Sequence, residues 1–392
     1  MGSKQPANGR RVWNRRPQLI QVAAEMFSTS GYDGTTVADI AAACGITAAS
    51  IYRHVDDKET LLVEAIREMV FAAYAAAQVA VDGVTDPSAA VHRLSYALAE
   101  NAVDRPAIVG LWHREGRYLP RSVREELVGL RNRQLGLWQT QVTRLRPDLT
   151  PRQLELRIRA AFGMMNCTPS LPISWGRALY VNTLAAAIRA LVLSTDEEEP
   201  LPLMVPTRRE PPSDRREELI RAATGLFQTH GYHRVAMKDI AAQVGISGPS
   251  VYEYFRSKGE ILSTILERFE TSLQKPTRAE QGDAARLAHL LGRYASCAFT
   301  YRDELNIRAT ESQYLPPDAA KRLDLMVKAR RSLIAEAVTR DNPALSGRAA
   351  YVCGVAAVES VFAIARSRRF EHDETVPASI VPLAAAVSRT EI

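Results

Sequence analysis

Val37-Ala-Asp-Ile-Ala-Ala-Ala-Cys-Gly-Ile-Thr-Ala-Ala-Ser-Ile-Tyr-Arg-His-Val-Asp-Asp-Lys58 is written a second time, 200 residues on, as Met237-Lys-Asp-Ile-Ala-Ala-Gln-Val-Gly-Ile-Ser-Gly-Pro-Ser-Val-Tyr-Glu-Tyr-Phe-Arg-Ser-Lys258. Around these segments the match runs without a gap from Leu19 to Val70 and from Leu219 to Glu270. Identical pairs include Phe27/Phe227, Gly31/Gly231, Tyr32/Tyr232, Asp39/Asp239, Gly45/Gly245, Ser50/Ser250 and Lys58/Lys258. A period this long is not that of a solenoid, whose units recur about every 20–50 residues. It is a duplicated module, and a function assigned to one copy must be weighed for both.

Each copy reads as consecutive helices. Ile20, Ala23, Ala24 and Phe27 form one apolar face that stops at Gly31. A short helix follows Thr36 and ends near Gly45, a sharp corner that favours positive φ and therefore glycine. Thr47 and Ser247 stand where a side chain caps the next helix, and Pro249 falls in its first turn, where a missing N–H costs nothing. That helix turns Ile51 and Val55, or Val251 and Phe255, inward, and leaves a small-residue N-terminus that can approach a DNA major groove. The first copy then offers Ala48, Ala49, Ser50 and Arg53 near the bases or groove wall and Tyr52, His54 and Lys58 toward phosphates, with Thr36 and Thr47 in the same DNA-contacting set. In the second, Lys238, Ser247, Gly248, Pro249, Ser250, Tyr252, Tyr254 and Lys258 are the corresponding set. A helical corner with no function is the bland reading, and its recurrence with the same Ser/Thr, Tyr and Lys offsets speaks against it.

Charge distribution agrees. Lys4, Arg10, Arg11, Arg15 and Arg16 precede the first acidic residue, Glu25, and Arg208, Arg209, Arg215 and Arg216 precede the second copy. Arg15 and Arg16 join the expected DNA-contacting set. The 392 residues are 46% hydrophobic and 24% charged, ordinary globular values, with a net charge of +6. No run of 18 or more uncharged apolar residues occurs, so no membrane span is expected. Cys44, Cys167, Cys297 and Cys353 are scattered without ligand spacing, which points to a reduced, cytoplasmic protein with neither disulfides nor metal. No phosphate loop, nucleophile elbow or paired catalytic carboxylates are found, so neither an enzyme nor a cofactor is expected.

The two quoted strings resemble the DNA-binding heads of TetR/AcrR-type transcriptional regulators. The resemblance implies an all-α fold with two units in tandem, each a three-helix head plus a helical domain for ligand and dimerisation. In organisation the chain is similar to actinobacterial regulators with two fused units, including repressors of mammalian-cell-entry operons. That likeness implies double-stranded operator DNA as partner and a small hydrophobic effector, such as a lipid or acyl-CoA thioester. The expected division is a basic arm (1–17), head (18–64), helical domain (65–193), acidic proline-rich linker (194–212), second head (213–264) and second helical domain (265–392). Long amphipathic helices are expected over 88–112, 121–145, 151–165 and 174–193.

The copies are not equal. Thr36 is replaced by Ala236, and Arg53 by Glu253 on a face meant for phosphates. The operator is therefore expected to be asymmetric, and the chain to pair its own two units as a monomeric pseudo-dimer. Candidate pocket residues are Trp112, Tyr118, Trp138, Phe162, Met165 and Asn166 in the first copy. In the second they are Tyr294, Phe299, Tyr314, Tyr351, Glu359 and Phe362. The rival reading is a helical scaffold or lipid carrier with one or both heads inactive, for which Ala236 and Glu253 are the best support.

Overall fold

The computed structural model describes residues 15–53, 55–195, 212–274 and 287–391. The basic stretch before Arg15, His54, and positions 196–211 of the linker with Arg208 and Arg209 lie outside the described residues. Among those described, all regular structure is helical. The first unit comprises α1 Arg15–Ser30, α2 Val37–Ala43, α3 Ala48–Ile51, α4 Lys58–Val81 and α5 Pro87–Asp104. It continues through α6 Pro106–Val109, α7 Leu111–Glu115, α8 Arg121–Leu145, α9 Pro151–Met164 and α10 Arg177–Leu193. The second holds α11 Arg215–His230, α12 Met237–Val244, α13 Lys258–Gln274 and α14 Leu287–Thr300. Its remainder is α15 Arg302–Glu311, α16 Pro317–Asp341, α17 Gly347–Arg366 and α18 Val376–Ala385.

Local chemistry explains most boundaries. Asp86 caps α5 by accepting from the Ser88 and Ala89 N–H groups, with Pro87 in the first turn. Thr150 and Gln153 form a reciprocal capping box at the start of α9. The helix expected over 88–112 is interrupted. Pro106 disfavours the helical conformation at Arg105, which sits at φ −134°, ψ 52°, and the chain restarts as α6 and α7. The expected head–body boundaries at 64/65 and 264/265 fall inside α4 and α13. Each of these helices is therefore one rod, with its start in a head and its end in a body.

Buried apolar residues form three clusters. One joins Leu19, Phe27, Ile40, Ile51 and Leu62 of the first head to Leu111 and Leu127. The second does the same for Leu219, Phe227, Ile240, Val251 and Leu262, with Ile307 and Leu323. The third holds the bodies of both units together, from Trp138, Met164 and Leu184 to Tyr294, Cys353 and Phe362. The bodies thus do not close separate cores. Helices α9 and α10 of the first unit pack against α17 and α18 of the second. Helix α17 is long and apolar enough to span a bilayer, but it lies mostly buried in this bundle. Contact with α9, α14 and α16 explains why it is apolar on most sides.

The two bodies approach closely, backbone to backbone, at Gly163 of α9. A Cβ there would lie 2.5 Å from the Cβ of Ala363 and 3.3 Å from the Ser360 Cα, both carried on the α17 backbone. No flexible side chain can yield, so the helices themselves must separate. Gly163→Ala is expected to destabilise the protein by about 1–3 kcal/mol, the usual cost of overpacking. A chemical denaturation midpoint equal to that of the parent protein would contradict this account of the interface.

Candidate functional site

Both heads present the same face. Gly45 and Gly245 hold φ at +66° and +73°, and no atom lies within 4 Å of where a Cβ would stand. The glycine is needed for the backbone turn alone. After it, Thr47, Ala49, Tyr52 and Arg53 are exposed, Ala48 and Ser50 partly so, and Ile51 is fully buried. In the second head Ser247, Pro249, Tyr252, Glu253 and Tyr254 are exposed, Gly248 and Ser250 partly so, and Val251 is buried. Tyr52 and Tyr252 are 56% and 57% exposed, a matched pair of large rings held in solvent at equivalent positions. Lys238 is exposed on α12, with its Cβ flanking Gly248.

Several expected roles change. Thr47 makes no side-chain cap to α3. Ser247 does cap, accepting from the Ser250 N–H at 3.3 Å while sharing a hydroxyl bond with Ser250. The second reading segment is a 3-10 turn, Pro249–Glu253, rather than an α-helix. Lys58 and Lys258 are braces more than free cations. The Lys58 Nζ donates to the Tyr32 and Thr35 carbonyls at 2.8 and 3.0 Å and lies over the Tyr32 ring. The Lys258 Nζ donates likewise to Tyr232 and Val235 at 2.6 and 2.7 Å. The two carbonyls leave each ammonium at most one donor for a phosphate, and burial lowers the pKa of both. Arg16 is held at 2.6 Å by Glu64, and the Arg15 side chain lies outside the described residues. Thr36 is the N-cap of α2, where it exchanges hydrogen bonds with Asp39. Ala236 keeps only half of that arrangement, its N–H donating to Asp239 at 2.8 Å.

Under the heads lies a junction the sequence did not reveal. Tyr118 and Tyr314, expected in pockets, instead carry the heads. The Tyr118 ring lies 4.6 Å from Tyr32 and its hydroxyl donates to Asp33, while Tyr314 stacks on Tyr232 at 5.6 Å and meets His233 edge-on at 4.2 Å. The contacts also cross between units. Tyr314 closes on Gly31 of the first head, and Arg117 on Gly231 of the second. Arg117 pairs with the buried Glu311 at 2.8 Å, and Glu311 also accepts from the Tyr232 N–H at 3.3 Å. Glu115 is the counterpart of Glu311, but Gln313 stands where Arg117 would be repeated. Burial pushes Glu115 up to about 7, against the pull of Arg117 and the Tyr32 N–H.

The sequence profile of bacterial regulatory proteins, tetR family, matches residues 19–65 and 219–265, the two heads. Both heads belong to the TetR family. The HTH-type transcriptional repressor KstR2 of Mycolicibacterium smegmatis is 32% identical over 121 residues, 31% of this chain and 59% of that protein. The HTH-type transcriptional activator FasR of the same species is 37% identical over 70 residues, 18% of this chain and 32% of its own. The matches thus span well under two thirds of either relative. The solved structure of the ketosteroid transcriptional regulator KstR2 of Mycobacterium tuberculosis is 25% identical and covers 47% of this chain and 95% of its own, with a TM-score of 0.38. A TetR-family regulator from Bordetella parapertussis is 22% identical over 47% of this chain and 96% of its own, with a TM-score of 0.43.

The body of the first TetR-like unit contains a cavity of about 110 Å³ between α4, α5, α7, α8 and the end of α9. Its apolar lining includes Met69, Val70, Leu98, Trp112, Phe162 and Met165, and its polar lining is Asn101, Arg105, Arg131, Gln134 and Asn166. Four of the expected first-copy residues, Trp112, Phe162, Met165 and Asn166, are brought together here. Trp138 is not among them, being fully buried and edge-on to Phe162. In the second copy, Tyr294 and Phe362 are fully buried core. Tyr351 packs on Trp175 at 5.3 Å, Phe299 lies by Arg302, and the Glu359 carbonyl faces Gly163, so these do not converge. Arg131 escaped the sequence reading, yet Leu127, Arg131, Gln134 and Trp138 follow the spacing of one helical stripe.

Two outcomes follow. Ala236→Thr is expected to restore the cap of α12 and stabilise the second head by about 1 kcal/mol, read by hydrogen exchange of its amides. Unchanged protection would show that Asp239 alone suffices. For Glu115, the folded state holds its proton more tightly than an unfolded glutamate does. Stability should therefore fall as pH rises from 4.5 to about 7, the loss being complete above that window. The loss is at most about 3 kcal/mol. Glu115→Gln should raise the unfolding temperature at pH 8 and leave it nearly unchanged at pH 4.5, whereas parallel pH profiles would contradict the assignment.

Proposed function

We propose that the chain is a sequence-specific DNA-binding transcriptional regulator, a repressor that reads an asymmetric operator with two unlike heads and is released by a small molecule. The observation that carries the reading is that one shared core supports two TetR heads. They have the same exposed corner and different residues on it, Thr47-Ala-Ala-Ser-Ile-Tyr-Arg against Ser247-Gly-Pro-Ser-Val-Tyr-Glu. Side chains that differ in charge and donor pattern do not read the same base edges. Heads fixed to a common body enter successive major grooves at a set spacing, as paired helix-turn-helix readers do. Because the partner unit is already in the chain, the active species is a monomer, and tethering makes the heads mutually local at an effective concentration of order mM.

Footprinting on DNA upstream of the chain's own coding region, with half-sites exchanged, tests the reading. An asymmetric footprint whose orientation matters is the expected result. Glu253→Gln should tighten binding through the second half-site only. A perfect palindrome bound equally in either orientation, with Glu253→Gln silent, would leave the two-reader proposal without support.

Salt dependence separates reading residues from braces. Arg53→Ala should reduce the magnitude of the salt slope by about 0.9, the loss of one phosphate contact. Lys58→Ala should chiefly lower the melting temperature, because two carbonyl acceptors lose their donor. The reverse pattern would restore Lys58 as the primary phosphate contact.

A further inference from the structure

The first unit's cavity holds a cation without a counter-ion. Arg131 lies inside the body, 5.9 Å from the Trp112 ring, and no carboxylate lines the space. Among the described residues no acid comes within ion-pair distance of it. Burial, aided by nearby Arg159, pulls its pKa down to about 10. A partly buried guanidinium with no anion beside it is costly, and the cost disappears if an anion enters. The other polar wall groups are partly engaged. Gln134 donates to the Ala73 carbonyl at 3.1 Å, and Arg105 donates to Asn101 at 3.0 Å. Asn101 and Arg105 also line an open groove of about 790 Å³ between α4 and α5, so this pair stands at the mouth of the cavity.

The second unit shows what fills the equivalent space. At the repeat offset of 200 on α4/α13, Val70 is replaced by Glu270. At the offset of 196 set by Glu115/Glu311, Gln134 is replaced by Arg330, Trp112 by Arg308 and Arg131 by Val327. Glu270 and Arg330 are buried and paired at 2.5 Å, with Arg308 at 3.9 Å from the other carboxylate oxygen. Phe362 closes over both guanidinium groups at 5.5 and 5.6 Å. The second body carries its own carboxylate against its own arginine. The first has the arginine and a void.

We infer that the chain takes one small organic carboxylate, in the first unit only, with its anionic group on Arg131 and its apolar part among Trp112, Phe162 and Met165, while Glu270 permanently fills the corresponding place in the second. The inference rests on the effector-released reading above and names the effector's class. An engineered void of about 150 Å³ accepts benzene, so this one holds roughly four or five non-hydrogen atoms. Any longer portion leaves past Arg105 and Asn101 into the groove.

The test uses the full chain without DNA, so that its failure is separate from failure of the DNA-binding reading. Pentanoate is titrated by calorimetry, with thermal unfolding in parallel, against pentan-1-ol, which has the same tail and no charge. Expected are one site per chain and a preference for pentanoate of about tenfold or more, the worth of a charge-assisted hydrogen bond. Arg131→Met should abolish the preference, and Arg131→Lys should retain part of it, which guards against a variant that merely misfolds. Equal binding of the alcohol, two sites per chain, unchanged affinity in Arg131→Met, or no binding at millimolar pentanoate would each overturn the inference.

Discussion

Everything else in the molecule depends on the close crossing of α9 and α17 at Gly163. Helices meet this closely only where one of them lacks a side chain, and the approach brings the two units into a single apolar cluster. Each body alone would leave an apolar face of a helix such as α17 in water. That face is what a homodimer would bury against a second copy, and here the second copy is covalent. The consequence reaches the end that carries the heads. With the bodies fixed to each other, the distance between heads becomes a property of the fold rather than of an association equilibrium.

Two routes carry that constraint outward. The first is along α4 and α13, each running unbroken from a head into the shared body. The second is the junction at Tyr118, Arg117, Glu311 and Tyr314, where the 3-10 turns Gly116–Tyr118 and Ser312–Tyr314 each touch both heads. The ion pair matters here because Glu311 is fully buried, and removing Arg117 would leave that charge stranded. Glu115, held by burial and without an arginine hydrogen-bonded to it, keeps its proton to higher pH instead. The junction is pseudo-symmetric in shape and asymmetric in charge.

How much of this could be read from the chain alone follows from range. The heads were legible because their signals are local: Gly45, the buried Ile51 and the exposed Tyr52 fall within one turn or two, and recur. Helix α8 is legible over its full length for the same reason, whereas the break at Arg105 is signalled by Pro106 alone within an otherwise continuous helical pattern. The pocket was only half legible. Aromatic residues at helical spacing announce burial but not what they are buried against, so Tyr118 and Tyr314 read as pocket residues and belong to the junction. The same blindness hid Lys58, whose carbonyl partners lie 23 and 26 residues away in sequence. Arg131 was overlooked because a charge on an amphipathic helix is ordinarily a solvent-facing one.

The divergence between the copies has a direction. Pocket wall residues Met69, Val70 and Ala73 lie on α4, the helix whose first residue, Lys58, is bonded to the carbonyls of the first head. Filling the cavity therefore acts on the rod that carries that head. On α13 the corresponding position is Glu270, locked to Arg330 of α16, so an ion pair stands there where the first unit has its cavity. A ligand shifts an equilibrium only by its difference in affinity for the two states, so an effector confined to the first unit can bias only the first rod directly. On the same reading the second head would serve as the fixed reference against which the first is displaced. In a symmetric dimer two half-sites release together through two ligands. On the reading proposed above one ligand would suffice, because mismatching either head to the groove spacing would cost the complex the advantage of having both.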